Sequence, residues 1–264
     1  MNNPTADIGL WAMVFAMLLV VPPLFIARWL KLRKTKQILI STARMGVQLA
    51  FVGVYLHYIF DLNNVWINIA YLLLMSVVAS FSAMKSCELR WRIFFNRFFA
   101  ASVMPMLVLV LYFDWLIIDL QDLFDARYLI PIGGMLLGNT LKANVIGADR
   151  FFSSLKSDRE TYESMISFGA SKNQALRPFY RESVKAAINP ILATMATVGL
   201  VSLPGMMTGQ ILGGSLPVTA IKYQIAIMTA IFCNNFLTVL LALRFTAPVA
   251  FDGFGNLRKD IFTR

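Results

Sequence analysis

The chain is poor in the residues that usually do chemistry. His57 is its one histidine, and Cys87 and Cys233 are its two cysteines. Neither a His/Cys metal cage nor a disulfide framework can be built within one copy. No G-x-x-x-x-G-K-[ST] run occurs, so the chain has no phosphate loop for ATP. What remains is soft sulfur and uncharged polar groups. Met206 and Met207 follow Pro204-Gly205. Thioethers suit soft metals such as Cu(I), and unwound backbone at a Pro-Gly break would expose carbonyls to a cavity. A methionine filling a packing gap is the ordinary explanation. Arg44, Gln48, Asn139, Asn144, Gln210, Gln224, Asn234 and Asn235 lie inside apolar stretches, where polar side chains are expensive unless they pair or line water. Hydrogen bonding between helices explains any one of them equally well. Arg44 and Lys142 could snorkel to an interface; a cation in a transport path would favour an anion or a chelate over a bare metal ion.

The elements that must position these residues are set by the apolar runs. Of 264 residues, 58% are hydrophobic and 14% charged, and the net charge is +10, too few charges to cover a water-soluble surface. Residues 8–27, 62–84 and 223–243 carry no charge, 37–60 only Arg44, 98–118 only Asp114, and 128–148 only Lys142. Each is long enough to cross a bilayer as a helix. The stretch 186–221 is also free of charge and too long for one straight crossing, so a span over 186–203 is expected, then a broken or re-entrant segment near 204–217. About seven transmembrane helices result, in an all-α polytopic bundle forming a single domain over 1–264.

Basic residues alternate sides. Arg28 to Lys36, Lys85 to Arg97, Arg150 to Lys185, and Arg244, Arg258, Lys259 and Arg264 follow the odd-numbered spans, while Asp7, Asp61, Asp114, Asp119, Asp122 and Asp125 fall on the other side. The positive-inside rule then puts the N-terminus out and the C-terminus in the cytoplasm. These charges read as topology and headgroup signals, not as a nucleic-acid surface. Asp119, Asp122 and Asp125 recur every three residues and predict one face of an interfacial helix, either an anchor or an acidic funnel for cations. His57 would sit near the outer end of the second span.

The largest basic connection, about 149–185, holds Glu163, then Gly169-Ala170-Ser171 and Gln174. Glycine can end one helix and Ser171 can cap the next. This resembles the cytoplasmic EAA-type loop of ABC-transporter permeases, which docks on the ATPase subunit; an amphipathic hairpin without a partner has the same pattern. On that resemblance Glu163, Gly169, Ala170, Ser171 and Gln174 are the ATPase-coupling residues.

Residues 197–225, TVGLVSLPGMMTGQILGGSLPVTAIKYQI, resemble the signature block of the FetB/YbbM-type ABC permeases, a family of bacterial iron-export permeases and plant STAR-type aluminium-tolerance permeases. Arg44 with Gln48, and Ile130-Pro131-Ile132-Gly133-Gly134-Met135 with Gly138-Asn139, match in the same order. The resemblance implies a non-enzymatic permease subunit in the bacterial inner membrane that exports iron or another metal ion by ATP-driven alternating access. ATP and Mg would bind a separate cassette ATPase, and no cofactor would bind this chain. It also implies a homodimer, with Gly134-x-x-x-Gly138 and Gly205-x-x-x-Gly209 available for close helix approach within or between copies. Arg44, Gln48, Asn139, Met206, Met207 and Gln224 are the candidates for the substrate pathway; no metal ligand set is assigned. Export of an organic solute such as a nucleotide sugar or lipid, and a non-transporting scaffold, are the alternatives.

Overall fold

The computed structural model describes residues 8–252, 257–258 and 261, and Asp7, Lys259 and Arg264 lie outside them. The described chain is helical: α1 (Leu10–Leu18), α2 (Val21–Trp29), α3 (Thr35–Leu62), α4 (Val65–Ser86), α5 (Trp91–Tyr112) with a π-turn at Phe113–Ile117, α6 (Ala126–Ser157), α7 (Arg159–Ser167), α8 (Lys172–Thr197), α9 (Gly205–Leu212) and α10 (Pro217–Ala250). Six helical segments are long and apolar enough to cross a membrane: 11–29, α3, α4, α5 with its π-turn, α6 and α10. The protein is a multi-pass all-α membrane bundle.

The passage expected over 186–203 is not a helix of its own. Its apolar residues form the end of α8, which begins among charges at Lys172 and stops at Thr197. There Gly199, at φ +86°, donates from its N–H to Ser202 O at 2.9 Å and turns the chain. Glycine meets that left-handed backbone without a Cβ penalty. The break therefore falls before Pro204, and 205–212 resumes as the short helix α9. The first span is likewise interrupted, at residues 19–20, just ahead of Pro22-Pro23 at the start of α2.

Helix directions follow from the contacts. Thr140 of α6 meets Asn234 of α10, and Gly147 of α6 meets Val239, so α6 and α10 run parallel. Gly147 also meets Ala187, and Arg150 pairs with Glu182, so α8 runs antiparallel to both. The bundle thus has a basic end, where α6 finishes and α8 starts, and an acidic end. Helix α6 touches α4, α5, α8 and α10. Its glycines permit this: a Cβ on Gly133 would lie 2.5 Å from Leu72 Cδ2, and one on Gly147 would lie 2.8 Å from Val239 Cγ1 and 3.4 Å from Ala187 Cβ. Of the anticipated small-residue pairs, a Cβ on Gly134 would lie 3.2 Å from Met75 Cε, while Gly138, Gly205 and Gly209 face open space.

Two apolar cores fill the bundle. Phe94, Phe98, Phe151 and Leu176 centre the one toward the basic end, and Leu72, Phe113, Leu129 and Leu136 the other. At the acidic end Asn63 and Asn64 fasten three elements. Asn64 Oδ1 accepts from Trp66 N at 3.0 Å and caps α4. Asn63, at φ +36°, ends α3, and its Oδ1 accepts from Ala126 N at 2.8 Å. Asparagine tolerates that left-handed conformation better than most residues.

The acidic segment after the fourth span is not a helix. Asp119 has φ +59°, Asp122 Oδ1 accepts from Phe124 N at 3.0 Å, and Asp125 Oδ1 accepts from Arg127 N at 2.9 Å as the cap of α6. Two of the three acids thus bind backbone N–H groups at turns, the local competition that short acidic side chains win over helix formation. Cys87 and Cys233 are free. Burial pushes the Cys87 thiol up to about 12, and its Sγ donates to Val145 O at 3.5 Å.

Helices α1 to α3 lie outside this bundle. Helix α3 buries no residue. Its hold on the bundle includes the Tyr55–Tyr71 hydroxyl pair, with the rings edge-on at 5.5 Å.

The tight three-helix crossing gives a test. Gly147→Val places branched carbons where Val239 and Ala187 already sit, and overpacking of this kind costs about 1–3 kcal/mol. A lowered thermal midpoint of the purified chain in detergent is expected, with Gly138→Ala, in open space, close to wild type.

Candidate functional site

Two regions gather the candidate residues. The first is the α7–α8 hairpin. Helix α7 ends at Phe168, and Gly169, at φ +87°, donates from its N–H to Ile166 O at 2.9 Å while Ala170 N donates to Met165 O at 3.0 Å. These bonds satisfy carbonyls that the helix end would leave without partners. Ser171 then caps α8: its Oγ accepts from Gln174 N at 3.4 Å, and Gln174 Oε1 accepts from Ser171 N at 2.8 Å. This is a complete capping box, the reciprocal pairing that starts a helix sharply. Glu163 pairs with Arg159 one turn earlier, and its backbone carbonyl accepts from Ser167 Oγ at 2.9 Å. The five anticipated coupling residues therefore lie on the α7–α8 hairpin, Glu163 in α7 and Gln174 in the first turn of α8.

Packing fixes that turn to the bundle. Tyr162 of α7 is buried against Phe251 with ring centroids 5.2 Å apart, and Lys172 Nζ lies 4.3 Å from the Phe251 ring centroid. Burial lowers the Lys172 pKa from its ordinary value, partly offset by Asp252. Ala175, Leu176 and Phe179 bury the opposite face of α8. Phe168 at the tip is 91% exposed. Its signal in the sequence is a large apolar residue directly before glycine in a charged connection.

The second region is the face between α3 and α6. Arg44, Gln48 and Tyr55 recur at helical spacing and share one side of α3. Tyr55 meets α4, whereas Arg44 and Gln48 are exposed. Leu39, Ala43 and Gly46 line the cleft against α1 and α2 from the other side. On α6 the stripe not covered by α4, α8 or α10 carries Gly138, half-buried Asn139 and exposed Lys142. A groove of about 350 Å³ lies between α4 and α6, lined by Tyr71, Met75, Gly134, Gly138 and Leu141 and by Tyr55 of α3; Arg44, Gln48, Asn139 and Lys142 are not among its lining residues. Asn139 Nδ2 donates to Met135 O at 2.9 Å, within its own helix.

Met206, Met207 and Gln224 are elsewhere. Met207 of α9 is buried, and Met206 packs against the core toward the acidic end. Gln224 of α10 is 7% exposed with Oε1 unpartnered. The structure does not bring these three together with Arg44, Gln48 and Asn139.

A third set lies inside the bundle. Asn234 Nδ2 donates to Thr140 Oγ1 at 2.6 Å, Thr140 Oγ1 to Asn235 Oδ1 at 3.4 Å, and Asn144 Nδ2 to Ser102 Oγ at 3.3 Å. The asparagines stand out in an apolar sequence. The serine and threonine partners do not, because helical hydroxyls commonly bond to their own backbone. Asp114 in the π-turn is fully buried, with neither carboxylate oxygen partnered.

The family model described as "Uncharacterised protein family (UPF0014)" matches residues 10–251. The chain belongs to the UPF0014 family. It is 32% identical to the probable iron export permease protein FetB of Escherichia coli, over 89% of each chain. It is 30% identical to the UPF0014 membrane protein YjkA of Bacillus subtilis, over 92% of this chain and 96% of that one. Protein ALUMINUM SENSITIVE 3 of Arabidopsis thaliana is 31% identical over 73% of this chain and 69% of its own. No solved structure matches.

The cap yields a quantitative expectation. Ser171→Ala removes the acceptor for Gln174 N, a loss worth about 1 kcal/mol at a helix N-terminus. Faster amide hydrogen exchange over the first turn of α8, with the rest of the helix unchanged, is the expected result.

Proposed function

We propose that this UPF0014 protein is the permease subunit of an ABC transporter, exporting iron or another metal ion with a separate cassette ATPase. The observation that carries the coupling half is the α7–α8 hairpin. A sharply capped turn at the basic end presents an exposed aromatic ring on a rigid, packed base, and a buried aromatic anchor is what protein interfaces favour. Basic residues on that side fit a cytoplasmic location by the positive-inside rule. The iron assignment rests on the name of the E. coli relative. The bacterial inner membrane and a homodimer complete the reading: Arg44, Gln48 and Lys142 are exposed on helices long and apolar enough to cross a membrane, where lipid is a costly neighbour for a polar side chain, and a second copy around a watery path would cover them.

A second reading, efflux of an anionic organic solute such as a nucleotide sugar, is favoured by the same cations. Arg44 and Lys142 on that face suit an anion, and the described residues include no group of three or more His, Cys, Asp or Glu placed to hold a metal.

The test is ATP hydrolysis and solute movement by the chain with its co-expressed cassette ATPase in lipid vesicles, titrated with Fe(II), other divalent metals and nucleotide sugars. Stimulation together with transport identifies the cargo class. No complex would leave a scaffold and sink the permease reading. Gly169→Leu forces a side chain into left-handed backbone at roughly 1–2 kcal/mol, and Phe168→Ala leaves the backbone alone. Each is expected to weaken ATPase association about tenfold, the 1.4 kcal/mol scale of one modest interface anchor. Wild-type association in both variants would refute docking at this turn.

A further inference from the structure

Helices α5, α6 and α10 enclose six uncharged polar side chains: Ser102, Thr140, Asn144, Asn234, Asn235 and Thr238, all buried. Thr140 lies beside Asn234 and Gly147 beside Val239. Because the two helices are parallel, Asn144, one turn after Thr140, and Thr238, one turn after Asn234, stand at the same level.

Two of the three amides donate within the seam. Asn234 Nδ2 donates to Thr140, which donates to Asn235, and Asn144 Nδ2 donates to Ser102. Turning the Asn234 amide over would take the Thr140 proton away from Asn235. The atoms left without any partner are all oxygens: Asn144 Oδ1, Asn234 Oδ1 and Thr238 Oγ1. On the same helix Thr229 and Thr246 satisfy their hydroxyls on the carbonyl one turn back. Thr238 does not, which leaves its oxygen available to something else.

We propose that this seam is a binding site for a monovalent alkali-metal cation, sodium or potassium. Amide and hydroxyl oxygens are hard ligands of the kind such ions take. Ser102 Oγ and Asn235 Oδ1 keep further lone pairs that can complete the shell. A water there would donate to Asn144 Oδ1 and Asn234 Oδ1 and accept the Thr238 proton, whereas a cation would draw on all three oxygens, and only the cation makes occupancy depend on the salt. The seam contains no carboxylate. The cost of an ion in a low-dielectric interior grows with the square of its charge, so without a compensating anion a divalent ion is disfavoured. An ion there would tie α5, α6 and α10 together.

The test uses the full chain alone in lipid nanodiscs, so it is independent of the transport reading. Radiolabelled sodium binding and thermal midpoint are measured in sodium, potassium and choline chloride at equal ionic strength. Saturable binding and stabilisation by sodium or potassium over choline are expected, and whichever ion competes better is the occupant. Thr238→Ser keeps the oxygen and should bind like wild type. Thr238→Val keeps the shape, removes the oxygen and should bind about tenfold more weakly or worse. Equal midpoints in all three salts without saturable binding, the outcome for water alone, would overturn the proposal, as would undiminished binding by Thr238→Val. If Thr238→Val does not fold, Asn144→Asp decides, since Ser102 can turn to donate to the new carboxylate. A calcium-dependent stabilisation absent from wild type supports the site, and its absence overturns it.

Discussion

The bilayer supplies no hydrogen-bonding solvent, so every polar backbone and side-chain group at depth must find its partner inside the protein. In this chain part of that requirement is met by bringing helices close enough to share partners, and α6 makes the approach possible. Glycines at positions 133 and 147 let Leu72, Val239 and Ala187 into space a Cβ would fill. The contact of Thr140 with Asn234 and Asn235, and of Asn144 with Ser102, depends on the same spacing. Without it the helices would separate by about the width of a methyl group, and those short side chains would no longer reach.

A contrast in burial follows. Helices α6 and α10 bury half of their most apolar windows, while the window of α3 buries none. Lipid tails are as apolar as leucine and give no hydrophobic drive to association, so an unburied apolar helix is at no loss in the membrane. The exposed polar residues are different. Arg44, Gln48 and Lys142 are stable only where water or protein reaches them, which is why that face, and not the apolar outer surface of α4 and α5, bears on the proposed path.

Much of the architecture was legible in the sequence because hydrophobic run length is a one-dimensional signal. The charge-free runs at 62–84 and 223–243 became α4 and part of α10. The hairpin was legible too, since Gly169 and Ser171 act through local backbone geometry. Other features were not. The interval of three among Asp119, Asp122 and Asp125 mimicked a helix, yet Asp122 and Asp125 found nearer backbone donors. The end of α8 was misplaced because apolar composition continues past Thr197 and only the local bond from Gly199 to Ser202 stops the helix. Of the pathway candidates, Arg44 and Gln48 share one side of α3 and Asn139 lies on α6, whereas Met206, Met207 and Gln224 lie toward the acidic end. Which polar residues converge is set by relative helix rotation, which a single sequence does not carry.

The capping box at Ser171 begins a helix that runs unbroken from the charged hairpin to Thr197. Its 26 residues make a rod of about 39 Å at 1.5 Å per residue. Such a rod is a lever: a rotation of roughly ten degrees carries one end about 7 Å relative to the other over that length. Gly147 lets it rest against α6 at Ala187, which lies nearer Thr197 than Lys172, and Arg150 holds the longer arm through Glu182. A push on the turn would therefore arrive at the loop before Pro204 reversed in direction and reduced by roughly a third.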